Sequence, residues 1–190
     1  MERLETVRAL LDAEASGRNR EGELSDERPD PLMIARRHPD QHHALTCAVF
    51  AYGSAKAIVT FLASLDSDLP AREEAELRSR LAGKYYRFQS TEDIVQWFVT
   101  LGRLVRIGGA ESVFGEGYRR GGVIQGVSEL IARLYDLNPY RSQGYEFLIG
   151  KPVVSLSKAS AMKRWMMYLR WMVREDALDM GLWKGIRTSE

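Results

Sequence analysis

The chain has 190 residues, 45% of them apolar, which is enough for one sizeable core or two small lobes sharing one. Its formal net charge of +1 steers it globally to neither nucleic acid nor membrane, so any anion-binding surface must come from local segregation of charge. The single cysteine, Cys47, excludes an intrachain disulfide and a cysteine-built zinc or iron–sulfur centre, and fits a reducing cytosol.

Leu4, Val7, Leu10 and Leu11 recur at helical spacing and predict a short first helix, with charges mixed in unlike a signal peptide. A polar, turn-rich loop, GRNREGELSDERPDP, follows. Residues 44–65 are apolar nearly all round, with small residues where a neighbour could approach, and predict a central buried helix. Pro70 suits the first turn of a helix running to about Ala82 and closed by Gly83. Ser90 or Thr91 caps the next, with Glu92 and Asp93 in its first turn, continuing to Gly108 and Gly109. A turn around Ala110 to Phe114 leads to a helix from about Gly121 to Tyr135, stopped by Asn138-Pro139. Residues 138–157 hold Pro139, Gly144, Gly150 and Pro152 and predict a loop or short hairpin-like connection, with room for one helical turn at 145–149. No segment alternates with period two and no apolar run reaches bilayer length. The expected class is therefore all-α, a compact multi-helix fold in a single helical domain over 1–190, cytoplasmic and without a membrane span.

Charge is segregated: acids gather in the first 30 positions and at Glu73, Glu74 and Glu76, whereas residues 151–174 carry lysines and arginines and no acid. Residues 160–183 read as a helix to Arg174 with two faces. Met162, Trp165, Met166, Leu169, Met172 and Val173 share a sector of roughly 120°, a core-facing stripe. Lys163, Arg170 and Arg174 fall within about 40° on the other side, flanked by Met167 and Trp171. Aligned cations repel, so the line either spreads into solvent or faces an anion. Lys163 stands in the first turn, where the helix dipole and its cationic neighbours disfavour the ammonium and would favour a nucleophilic amine.

Other clusters read as structural. His38 and His42 are four apart near Asp40, but Pro39 interrupts the helix such a metal site would need, so no metal is expected. Lys56, and Lys84 beside Tyr85, Tyr86 and Phe88, read as snorkelling lysines over packed apolar groups. Gly108-Gly109 and Gly121-Gly122 lack the strand and the Gly-Lys-Ser/Thr of a phosphate loop and read as helix punctuation. No Ser/His/Asp or Cys/His arrangement can be assembled, and no cofactor is implied.

The run from Lys163 to Trp183, KRWMMYLRWMVREDALDMGLW, resembles the signature of a bacterial family of uncharacterised proteins. The segments DPLMIARRHPD, AVFAYGSAKAIVTFL, KYYRFQSTEDI and GAESVF resemble the same family, spanning residues 30–183. This chain departs from the signature with Met166 where it has Asn and Tyr168 where it has Phe. The family in turn resembles a remote branch of the helix-hairpin-helix DNA glycosylases of the endonuclease III and archaeal 8-oxoguanine type. That resemblance implies a helix-hairpin-helix element near residues 146–174, with Ser155 to Ser160 as its turn. It implies Lys163 as a Schiff-base lysine, and Lys158, Ser160, Arg164, Arg170 and Arg174 as contacts to double-stranded, damaged DNA. The assisting aspartate is expected in a Pro-Leu-Asp-Thr-His segment beyond Trp183, which this sequence does not contain; Asp179 reads as structural. The alternative is a non-catalytic helical module that binds DNA or an acidic protein surface.

Overall fold

The computed structural model describes residues 2–153 and 161–186, and its regular elements among them are all helical. Helix α1 (Glu2–Arg18) is steadied by exposed i,i+4 pairs, Arg18 with Glu14 at 2.5 Å and Arg8 with Asp12 at 3.7 Å. Its apolar stripe of Leu4, Val7, Leu10 and Leu11 is exposed. Inside the stretch expected to be loop, α2 (Pro31–Ala35) forms because Asp30 accepts from the Leu32 amide at 2.8 Å and Pro31 has no amide to orphan.

The expected single helix over 44–65 is two. Helix α3 (Gln41–Val49) is capped by Asp40, which accepts from the His42 and His43 amides at 2.8 and 3.0 Å. Helix α4 (Ala55–Ala63) starts afresh at Ser54. Gly53, with φ of +107°, makes the break; a left-handed residue cannot continue the helix. Burial splits accordingly. Ala44, Leu45, Cys47, Ala48 and Val49 of α3 are almost fully buried, whereas α4 buries only Ile58, Phe61 and Leu62. The proline-started helix also divides, into a short 3-10 turn at Leu69–Ala71 and α5 (Glu74–Arg80).

Helix α6 (Thr91–Arg106) has the expected cap in full: Ser90 Oγ accepts from the Asp93 amide and Asp93 accepts from the Ser90 amide. It is the central strut of the core, from Ile94 to Leu104, and Trp97 donates to Thr46 of α3 at 3.0 Å. Helix α7 (Gly109–Leu137) begins where a turn was expected and folds on itself at Gly121-Gly122, Gly122 having φ of +75° and ψ of −163°. Its two arms cross closely. A Cβ on Gly117 would lie 2.5 Å from Gln125 O, and one on Gly126 would lie 2.6 Å from a Phe114 ring carbon. The glycines permit this hairpin by absence of side chains.

The expected helical turn at 145–149 is α8 (Gln143–Ile149), capped by Ser142. Helix α9 (Lys163–Val173) packs on α3 and is shorter than the expected 160–174; Arg174 is extended. Tyr168 and Trp171 are fully buried with Trp165, Leu169 and Met172, while Met162, Met166 and Val173 are only half-buried. Trp171 therefore belongs to the core and not to the cationic face, because the chain after α9 doubles back over that side. Met180 and Gly181 donate to Trp171 O at 3.0 and 3.1 Å, and Trp183 donates to Met172 O at 2.8 Å, satisfying carbonyls the helix end would leave orphaned. Trp183 is buried against Phe114 and Tyr168 and donates to Gln41 Oε1 at 3.1 Å. No described helix is long and apolar enough to cross a membrane.

Candidate functional site

The cations of α9 and its approach have separate fates. Lys163 is the first residue of the helix, preceded by Met162 in a left-handed conformation (φ of +46°), which costs an L-residue roughly 1–2 kcal/mol. The exposed Lys163 borders an open depression of about 190 Å³ with Lys151, Gly150, Ile131, Arg164 and Trp165. Trp165 is fixed by donation to Ile149 O at 2.9 Å, and Gly150 O accepts from Tyr135 at 2.7 Å. The lining holds no carboxylate, and among the described residues no acid forms an ion pair with Lys163 or Lys151.

Arg164, next in the chain, lines the same depression and reaches from it toward α3 and α8. It donates to Val49 O and Phe147 O, and its guanidinium lies 4.7 Å from the Phe147 ring centre and 5.4 Å from that of Tyr52. Burial lowers its pKa. It ties α9 to α3 and α8, and no carboxylate is paired with it among the described residues.

Arg170 and Arg174 converge on Asp179, whose side chain is 2% exposed. Arg170 Nε lies 3.2 Å and Arg174 Nε 3.7 Å from Oδ2. Arg174 also pairs with Asp176. Burial raises the pKa of Asp179, and its two arginines only partly offset that. Asp176 is pulled low instead: burial opposes ionisation, but the Asp179 and Leu178 amides, both at 2.8 Å, and Arg174 outweigh it. Seven residues separate Arg170 from Lys163, about 10 Å along the axis, so this cluster is not part of the lysine's depression. Lys158, Ser160 and the expected hairpin turn at 155–160 lie outside the described residues.

The histidine segment is structural here. His38 precedes the Asp40 cap and so does not share a helix face with His42; His43 bonds Ile34 O at 3.1 Å, and burial lowers its pKa. Among the described residues no three metal-ligating groups gather. Burial pushes the Cys47 thiol well up, which removes it as a nucleophile.

The aromatic group near Lys84 is packed only in part. Tyr86 is core, but Tyr85 is 74% and Phe88 50% exposed. Tyr86 and Gln89 exchange backbone hydrogen bonds at 3.1 and 2.9 Å, leaving Arg87 and Phe88 as the tip of a two-residue hairpin. Tyr52, Phe88 and Phe147 then meet from three separate stretches, with ring centres 4.7, 4.8 and 5.8 Å apart. Sequence reasoning missed this cluster, since nothing local joins residues 52, 88 and 147.

A family model described as "Protein of unknown function (DUF2400)" matches residues 30–190, all of the chain but α1 and the loop that follows it. No curated protein and no solved structure gives a match.

Proposed function

We propose that this chain, which belongs to the DUF2400 family, is a base-excision DNA glycosylase-like protein with Lys163 as its Schiff-base nucleophile. One observation carries the reading: Lys163 is the exposed α9 lysine at a depression, beside two further cations, Lys151 and Arg164, with no carboxylate in the lining. Schiff-base formation requires a primary amine at the site, which Lys163 supplies. In the proposed step the Lys163 nitrogen bonds C1′ of the damaged nucleotide as the bond from C1′ to the base breaks. The base leaves with a proton, and opening of the sugar ring gives the imine. A flipped nucleotide would bring its own phosphates to Lys151, and Lys158 and Ser160 are further candidates for phosphate contact.

A second reading, a non-catalytic DNA-binding or interaction module, is favoured by a different observation. Asp176 and Asp179, which follow the helix, are paired with Arg170 and Arg174 at its far end, and no carboxylate lines the Lys163 depression. Borohydride trapping on duplex containing 8-oxoguanine or an abasic site separates the two. The glycosylase reading predicts a covalent adduct that is lost in Lys163→Ala. An adduct that persists in that variant refutes Lys163, and DNA binding with no adduct on either substrate supports the second reading.

A further inference from the structure

We propose that Tyr52, Phe88 and Phe147, with Arg87 and Arg164, form a stacking platform for a segment of single-stranded nucleic acid. Aromatic rings at the surface are ordinarily turned inward, yet Phe88 and Phe147 are 50% and 41% exposed while touching each other and Tyr52. Two guanidinium groups lie over the same rings: Arg164 over Tyr52 and Phe147, and Arg87 5.8 Å from the Tyr52 ring centre. Neither arginine has an ion pair with a carboxylate among the described residues. Arg164 is sunk between the rings with only carbonyl acceptors, so its charge is uncompensated.

The backbone is strained to keep Arg87 in place. It occupies a left-handed position (φ of +56°) at the hairpin tip, a place that favours glycine. Facing it, Gly53 is left-handed as well, and a Cβ there would come within 2.8 Å of the Arg87 guanidinium. A glycine thus stands where a side chain would displace an arginine, and an arginine stands where glycine is easiest. The acid whose charge reaches Tyr52, Asp93, is buried and already accepts from Ser90, Tyr140 and Ser142. The outer face of the platform is cationic and aromatic together.

That pairing fits a ligand with phosphates and flat rings in alternation. Duplex DNA hides its base faces, and an acidic peptide does not repeat a ring beside every anion; an unpaired strand offers one base for each phosphate. The platform adjoins the Lys163 depression, because Arg164 lines that depression and lies over the Tyr52 and Phe147 rings. It does not depend on the Schiff-base chemistry, since stacking needs neither a lesion nor an amine nucleophile.

Fluorescence anisotropy with labelled oligothymidylate, without reductant, tests the platform. Phe147→Ala and Phe88→Ala should each weaken binding about 5- to 150-fold, and Phe147→Tyr should retain it. Arg87→Gln should lower the slope of log K against log salt by about 0.7. Lys163→Ala should keep the affinity within a few-fold, which separates failure of the platform from failure of the lysine assignment. Unchanged urea midpoints in the phenylalanine variants confirm that folding is intact. Wild-type affinity in both folded alanine variants, absence of oligothymidylate binding at low salt, or equal displacement by polyglutamate would each overturn the proposal.

Discussion

Replacing Arg170 and Arg174 together by alanine should act on folding before it acts on any ligand. Asp179 Oδ2 has both guanidinium groups within 3.7 Å, and its side chain is almost fully excluded from water, with Oδ1 lacking a partner. Removing one member of a buried pair costs about 3–5 kcal/mol, mostly the cost of the stranded charge. The arginines are 52% and 45% exposed, so solvent already screens part of the attraction. About 2–3 kcal/mol is the reasonable loss for the double variant, and about 1 kcal/mol for either single one, because the remaining arginine still serves Asp179. Adding Asp179→Asn should recover roughly half of the double variant's loss, since no charge is then left buried. Urea denaturation at pH 7 measures these differences directly. If the double variant keeps its stability but loses DNA affinity, with the salt slope falling by about one per arginine, the two are phosphate contacts and the clamp assignment is wrong.

Gly126→Ala should destabilise by about 1–3 kcal/mol, since the new Cβ meets three Phe114 ring carbons within 2.9 Å and helix propensity returns only about 1 kcal/mol. Gly115→Ala in the other arm meets only the far end of the Arg119 side chain at 3.3 Å and should be neutral or slightly stabilising; equal effects in denaturant titrations would contradict the close crossing. Asp40 has its pKa held down to about 2, because burial, which opposes ionisation, is outweighed by hydrogen bonds from His42 and His43. Its folded value lies below its unfolded one, so the stability it contributes is present above about pH 4 and is lost as pH falls toward 2. Asp40→Asn keeps a capping oxygen but not the charge, so it should flatten the acid limb of the stability profile by losing the contribution present at pH 7; an unchanged acid limb would exclude Asp40 as a source.

What could be read from the sequence follows the range over which each determinant acts. The capping box at Ser90 and Asp93, the all-helical class and the core positions of α6 depend on neighbours within a turn, and they appear in the structure as expected. The Asp30-Pro31 start of α2 carries an equally local signal, though the surrounding polar run masked it. Gly53 lay among the small residues of 44–65 and Gly121-Gly122 read as punctuation, whereas left-handed backbone at Gly53 and Gly122 breaks one helix and folds another. The two-faced pattern of α9 identified Trp165, Leu169 and Met172 as core. It misplaced Trp171, because the cover supplied by residues 175–183 comes from beyond the helix. The same distal cover gave Arg170 and Arg174 their partner, which no periodicity could reveal.

The account turns on Lys163 being the cation of α9 free to do chemistry. Peptide mapping of the borohydride-reduced protein–DNA adduct, by mass spectrometry, tests this most directly. The modified nucleotide should be found on Lys163, with Lys151 and Lys184 unmodified. An adduct carried by either of those lysines, with Lys163 recovered intact, would contradict the assignment.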